Sequence, residues 1–331
     1  MRNKILFAAL ALAALSTITP PAASARKTSA HGAQPAQAIR LTPAPSPELQ
    51  ALAGAAARAA LKRFAGKKLT EDQLAVTIID LRDAARPSQG SFRGDARIYP
   101  ASVVKLFYLV YAHRLLEDGK LKETEELKRA LRDMIVDSSN DATGYVLDVI
   151  TDTTSGRELE GAEMRKWQQK RDAVNRYFAS LGYAGINTNQ KTFCEDAYGR
   201  ERFSRGANGE NRNKLTTNAV ARLLAEIATD RAVTPARSAA MRELLKRDFA
   251  GESKDADDQA HGFTGITLKD FPGARLWSKA GWTSTTRHDA AYIELPNGAR
   301  FVVVTFTENQ ATERDIIPTV ARAVIEHFNK P

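Results

Sequence analysis

One cysteine, Cys194, stands among 331 residues, which excludes an intramolecular disulfide and a cysteine-rich zinc site. The five histidines, His31, His113, His261, His288 and His327, show no metal-ligand spacing. No metal and no other cofactor is therefore expected. The chain lacks a Gly-rich phosphate loop, an H-E-x-x-H helix and a G-x-S-x-G elbow, and it has no internal repeat. Beyond the first residues no apolar run is long enough for a hydrocarbon core of ~30 Å. Acidic residues are the minority, 39 against 48 Lys plus Arg, for a net charge of +9. The excess is spread along the chain, so it reads as a solvated basic surface and not as a nucleic-acid interface. What is present, 43% apolar and 26% charged residues, is ordinary globular composition.

The chain opens on Arg2 and Lys4, an apolar stretch Ile5 to Leu15, and the small-x-small site Ala23-Ser24-Ala25. This reads as a cleaved secretory signal over residues 1–25, too short for a stable membrane anchor. It predicts a periplasmic or extracellular product. Residues 26–46, rich in Pro, Ala, Ser and Thr, read as a flexible leader. From there Ser46-Pro47 predicts a capped helix start. Leu74 to Leu81 reads as a strand, with Phe92 to Tyr99 returning as its hairpin partner. A long helical middle follows, with candidates at 103–116, 123–136, 140–150, 161–181, 217–229 and 234–249. Gly182 to Leu215 is long and irregular, and loops of that length are often functional. Three strands (275–282, 289–295, 300–306) and a closing helix over 316–329 end the chain. Early and late strands can complete one antiparallel sheet, with the helical middle as a lobe and a ligand site between them.

Three short motifs carry chemistry. In Ser102-Val103-Val104-Lys105, residues i and i+3 share a helix face, placing an amine near a hydroxyl. Serine becomes a nucleophile when a base takes its proton. Lysine serves as that base only when neutral, a pKa change from about 10.4 to about 7–8 that requires roughly 4 kcal/mol from its surroundings. The helix start also offers N–H groups to an oxyanion. The bland alternatives are an N-cap for Ser102 and a surface lysine for Lys105. Ser138-Ser139-Asn140 sets a hydroxyl and an amide two residues apart, suited to proton relay and amide recognition, or else it is a helix cap. Lys279-Ala280-Gly281 lies in a strand; the lysine can hold a carboxylate, Gly281 admits close approach of a ligand, and the Trp282 amide can be a second oxyanion donor. The alternative is a solvent-facing strand lysine. His288 and Asp289 leave a Ser-His-Asp arrangement open, with nothing in the sequence to position it.

In order and element type the three motifs resemble those of the penicillin-recognising serine hydrolases, closest to class A β-lactamases, whose pattern is S-x-x-K, S-D-N and K-T-G. The resemblance spans about residues 46–331. It implies an α/β fold of the β-lactamase/transpeptidase type: an antiparallel sheet flanked by terminal helices, with an inserted all-helical lobe at about 106–265. It implies Ser102 as the acylated nucleophile, Lys105 as proton acceptor or its helper, and Ser138 as proton relay. Asn140 and Lys279 would bind the substrate's amide and carboxylate, and the Ser102 and Trp282 amides would form the oxyanion hole. Ser139 and Ala280 depart from the pattern; Thr283, Ser284 or Arg287 can compensate for the hydroxyl missing at Ala280. The water-activating glutamate that the resemblance implies falls within residues 191–215. Counting back from Thr216-Thr217 favours Glu201, with Glu195 nearly as good and Glu210 also in range. The implied activity is β-lactam hydrolysis, and with it antibiotic resistance, by a monomer acting on a small-molecule β-lactam or a peptidoglycan peptide. A D-alanyl-D-alanine carboxypeptidase, or a wall-binding module without turnover, are the alternatives.

Overall fold

The computed structural model describes residues 41–193 and 196–330. The signal and most of the leader lie outside the described residues, as do Cys194 and Glu195. Part of the expected leader belongs to the fold. Leu41 is buried in the core, and β1 (Ala44–Pro45) follows it, so the leader does not extend to residue 46. Ser46 caps α1 (Pro47–Arg63), its Oγ accepting from the Leu49 amide at 3.2 Å. The hairpin consists of β2 (Leu74–Asp80) and β3 (Ser88–Phe92). Its second strand lies ahead of the segment 92–99 read from the sequence. Arg93 takes a left-handed backbone, φ +52°, which turns the chain out of the sheet.

The helical lobe begins with a 3₁₀ turn, Ala101–Val104, that runs into α2 (Lys105–Glu117). It continues through α3 (Glu125–Ile135), α4 (Asn140–Thr151), α5 (Gly161–Arg171) and α6 (Ala173–Ser180). The last two, expected as one helix, are separated at Asp172. The irregular segment holds the short α7 (Gly199–Arg205), followed by α8 (Thr217–Ala228) and α9 (Pro235–Leu245). At β4 (Lys246–Arg247) the chain rejoins the sheet, so the lobe closes at Leu245 and not near 265. The short α10 (Thr264–Leu268), then β5 (Arg275–Trp282), β6 (Thr286–Glu294), β7 (Arg300–Glu308) and α11 (Ile316–Phe328) complete the described residues. Among these residues no helix is long and apolar enough to cross a membrane.

The strand order is β1-β3-β2-β7-β6-β5-β4. All pairings are antiparallel except the short parallel one between β1 and β3. The period-2 alternation of strands splits the core. Leu74, Val76, Ile78, Phe301 and Val303 face α1 and α11. Ala75, Ile79, Val302, Val304 and Phe306 face the lobe. On β5 the same alternation sends Trp277 and Lys279 towards the lobe, where Trp277 joins the lobe-side core and Lys279 meets Ser138. Ala280 is sent to the other face, beside Phe263 and Ile317.

Gly90 shows how tightly the α1 layer sits. A Cβ there would lie 2.1 Å from the Gln50 nitrogen and from the Leu49 carbonyl carbon. Backbone cannot yield as a side-chain tip can, so Gly90→Ala is expected to destabilise the fold by about 3 kcal/mol, read as a lowered urea midpoint with an unchanged slope.

Candidate active site

The nucleophile candidate stands on the 3₁₀ turn, not on an α-helix. Lys105 follows that turn as the first residue of α2, and side chains three apart in a 3₁₀ turn eclipse. Ser102 is half-buried and Lys105 fully buried. Two supports set this turn. Strand β5 passes so close that a Cβ on Gly281 would lie 2.8 Å from the Ser102 nitrogen and 2.9 Å from that of Val103. The glycine therefore admits the backbone of Ser102 itself. On β6, His288 uses both ring nitrogens on backbone: Nε2 donates to the Tyr99 carbonyl at 2.8 Å, and Nδ1 accepts from the Thr307 amide at 3.1 Å. This fixes its tautomer and leaves neither nitrogen for a catalytic triad. Its neighbour Asp289 points to the other face and accepts from the Thr264 amide at 3.1 Å.

The second motif divides its labour. Ser139 caps α4, accepting from the Ala142 amide at 3.1 Å, the plain structural role that serine fills well. Ser138 has φ +55°, a conformation that costs a non-glycine residue about 1–3 kcal/mol. It turns the Ser138 hydroxyl to the lysines of the other two motifs. Lys279 Nζ donates to Ser138 Oγ at 2.9 Å, and Lys105 Nζ does so at 3.3 Å. Lys105 also donates to the Ser138 carbonyl at 2.6 Å and to Asn140 Oδ1 at 2.9 Å. Lys279, fully buried, further donates to Gln259 Oε1 at 2.5 Å and to its neighbour's carbonyl, Ala280 O, at 2.8 Å. Ser102 is joined to this cluster through its turn, and Lys105, Ser138, Asn140 and Lys279 meet directly.

The electrostatics are cationic. Burial, then the charges of Lys105 and Arg247, hold the Lys279 ammonium well below the usual lysine range, with Asp289 opposing. Burial lowers Arg247 to about 10; its guanidinium reaches the Ser278 carbonyl at 2.9 Å and that of Ile135 at 3.0 Å. Burial raises Asp289 above the usual carboxylate range, and its Oδ1 has no hydrogen-bond partner. Among the described residues no group of three or more His, Cys, Asp or Glu side chains can hold a metal ion.

Other residues singled out in the sequence stand elsewhere. Arg287 is not a second carboxylate clamp. It is buried, ion-paired to Asp257 at 2.5 Å, bonded to the Gly262 carbonyl at 2.8 Å and lying over the Phe263 ring. It braces the loop that leads to α10. The Thr283 hydroxyl closes the β5–β6 turn, accepting from the Thr285 and Thr286 amides at 3.2 and 3.1 Å. Trp282 is half-buried against Phe263. Ser284 is exposed. Ala280 is fully buried against Phe263 and Ile317, so a hydroxyl there would enter an apolar cluster. Glu201, the favoured general base, is completely buried in an ion-pair network. Its Oε1 accepts from Arg171 Nη2 at 2.7 Å and from Ser155 Oγ at 2.9 Å, with Lys191 Nζ at 3.7 Å. Asp148 binds both Arg171 and Lys191, so Glu201 anchors α7 to α4 and α5. Glu210 is exposed and held by the Asn208 amide at 3.2 Å and by Asn208 Nδ2 at 3.0 Å.

The sequence reading missed Gln259, Arg247 and Tyr108. Tyr108, three residues after Lys105 on α2, donates to the Gln190 carbonyl at 2.7 Å and ties the irregular segment to the site. Helical spacing from Lys105 was a usable signal for it. Gln259, in a polar loop, had none.

A family model described as "Beta-lactamase enzyme family" matches residues 56–328. No curated protein matches the sequence. Among solved structures, a beta-lactamase from Sphaerobacter thermophilus is 20% identical, with TM-score 0.59 over 84% of this chain and 97% of that one. A mutant of PBP-A, solved as an acyl-enzyme complex with penicillin G, is 17% identical, with TM-score 0.60 over 88% and 100%. An ancestral class A beta-lactamase is 19% identical, with TM-score 0.56 over 84% and 100%. At these identities the three structures establish the fold.

Two predictions follow from the site. Glu201→Gln leaves the buried Arg171 undercompensated and is expected to cost about 3 kcal/mol of stability, measured by equilibrium unfolding. His288, lowered to about 4 by burial, is expected to stay neutral at pH 5–8, its ring NMR signals moving only near pH 4. The unfolded chain takes up this proton near pH 6.5 and the folded chain does not. Stability therefore falls as pH drops from about 6.5 towards 4, by roughly 3 kcal/mol for this one group.

Proposed function

This chain belongs to the beta-lactamase enzyme family and is a serine hydrolase, and on that premise we propose that it hydrolyses β-lactams through an acyl-enzyme on Ser102. Lys105, in its neutral form, takes the Ser102 hydroxyl proton as Oγ bonds to the lactam carbonyl carbon. The developing oxyanion is received by the Ser102 and Trp282 amides, a type of donor whose loss costs about 3–4 kcal/mol. The carbon–nitrogen bond then breaks, Ser138 passes its proton to the leaving nitrogen, and Lys105 gives the proton it took to Ser138 Oγ, 3.3 Å away. Asn140 orients the substrate amide and Lys279 holds its carboxylate. Water then splits the ester, giving the ring-opened acid and free Ser102.

The observation that carries this reading is the Ser138 hydroxyl, met by Lys279 Nζ at 2.9 Å and Lys105 Nζ at 3.3 Å. With both lone pairs engaged by donors, its single proton remains to be given. A buried, cation-rich site is also suited to an anionic substrate. For the deacylating base the reading retains Glu195, because Glu201 is completely buried, with Oε1 held by Arg171 and Ser155 and an unbonded Oε2 closed off from solvent, and Glu210 is held by Asn208. Glu195 itself lies outside the described residues. The reading includes export by residues 1–25.

Incubation of the protein with benzylpenicillin, followed by intact mass, tests the proposal. The expected result is a transient adduct and accumulating ring-opened product. Ser102→Ala should give no adduct, and Glu195→Gln a long-lived one with release slowed at least about 100-fold. A long-lived wild-type adduct together with cleavage of a D-alanyl-D-alanine peptide would assign the peptidase instead. No adduct at all would overturn the enzymatic reading of Ser102.

A further inference from the structure

Lys279 is held by a side chain that no motif contains. Gln259 is buried and satisfies four groups at once. Its Oε1 accepts from Lys279 Nζ at 2.5 Å and from the Ala280 amide at 3.2 Å. Its Nε2 donates to the carbonyls of Val136 at 2.9 Å and Ile135 at 3.3 Å. Only this orientation of the amide serves all four, since the carbonyls need a donor and the ammonium an acceptor. The topology explains the opening it fills. Strand β4 pairs with β5 only at Leu276 and Trp277, so beyond that point the edge of β5 is not paired by β4, and Gln259 takes the Ala280 amide there. The carbonyls it braces lie two and three residues before Ser138. One amide thus ties the second motif to the third.

The charged groups around Lys279 are Lys105 from α2, Arg247 from β4 and Asp289 from β6. Its other contacts, Ser138 Oγ, Ala280 O and Gln259 Oε1, are neutral acceptors. A hydrogen bond to the charged form of a group favours that form, so in this cationic surrounding the acceptor at 259 bears directly on whether Lys279 keeps its proton. We propose that Gln259 is a positioning residue: its amide holds Lys279 against Ser138 and sets the pH range over which Lys279 stays an ammonium. The inference rests on the reading of Lys279 as the partner of the substrate's carboxylate.

The test uses Gln259→Glu, of nearly the same shape with an added negative charge, and Gln259→Met, of similar size without the acceptor. In the full chain labelled with ¹³Cε-lysine, the Lys279 signal, assigned by its loss in Lys279→Arg, is titrated by NMR. Its midpoint should rise by about one pH unit or more in Gln259→Glu and fall in Gln259→Met. The alkaline limb of Ser102 acylation by benzylpenicillin should move in the same two directions. A brace that only stabilises the fold would lower the melting temperature and leave both midpoints where they are, and that result would overturn the proposal, as would movement of both in one direction. Gln259→Glu alone still decides the matter if the methionine variant does not fold. Should benzylpenicillin fail to acylate the wild type, the functional reading falls, while the NMR midpoint continues to judge Gln259.

Discussion

Two lysine side chains, Lys105 and Lys279, are buried around one serine hydroxyl, and the site is organised by what that requires. An ammonium removed from water is costly unless its donors find acceptors. The acceptors here are almost all neutral: the carbonyls of Ser138 and Ala280, the amide oxygens of Asn140 and Gln259, and the Ser138 hydroxyl between the two amines. The left-handed backbone at Ser138 is the strain that brings carbonyl and hydroxyl to the same amine. Neutral acceptors solvate the cations without cancelling them. The centre keeps a net attraction for anions.

The sheet distributes the remaining roles by parity. Lys279 points to the helical lobe and Ala280 to the opposite face, where Phe263 and Ile317 enclose it. Arg287 braces the adjoining loop through Asp257 and Gly262. His288, one residue on and facing the lobe, links β7 to the carbonyl of Tyr99 and so to the turn that carries Ser102. Glu201 is completely buried, its Oε1 bound by Arg171 and Ser155 with Lys191 nearby, while its Oε2 has no hydrogen-bond partner; a carboxylate held in this way anchors a loop. The departures at Ser139 and Ala280 have local structural reasons, one as a helix cap and the other as a member of an apolar cluster.

Much of this was legible from local pattern. The N-cap at Ser46, the strand from Leu74, the helices of the lobe and the three closing strands follow from capping chemistry and from periods of 3.6 and 2. The turn that carries Ser102 is 3₁₀ and runs directly into the helix that starts at Lys105, where the sequence reads as a single helix. The hairpin partner was read too late in the chain because Phe92 to Tyr99 has strand-like composition, while the backbone turn at Arg93 and the glycine contact at Gly90 with α1 place the strand earlier. The leader was read too long because a two-residue strand beside a buried Leu41 has no periodicity to detect.

The amino-acid order alone determined the pair Ser102 and Lys105, the hydroxyl and amide two residues apart, and the strand lysine followed by a small residue and a glycine. Each is a matter of neighbours along the chain, governed by covalent geometry and backbone hydrogen bonding. Tertiary structure decided which of these touch. Ser138 and Lys279 are 141 residues apart in sequence and meet because the sheet order sets β5 against the lobe. The same packing took Glu201 and Arg287 into ion pairs and brought Gln259 out of an unremarkable polar loop to the centre. Contacts over such separations depend on how whole layers pack, and no local spacing encodes that.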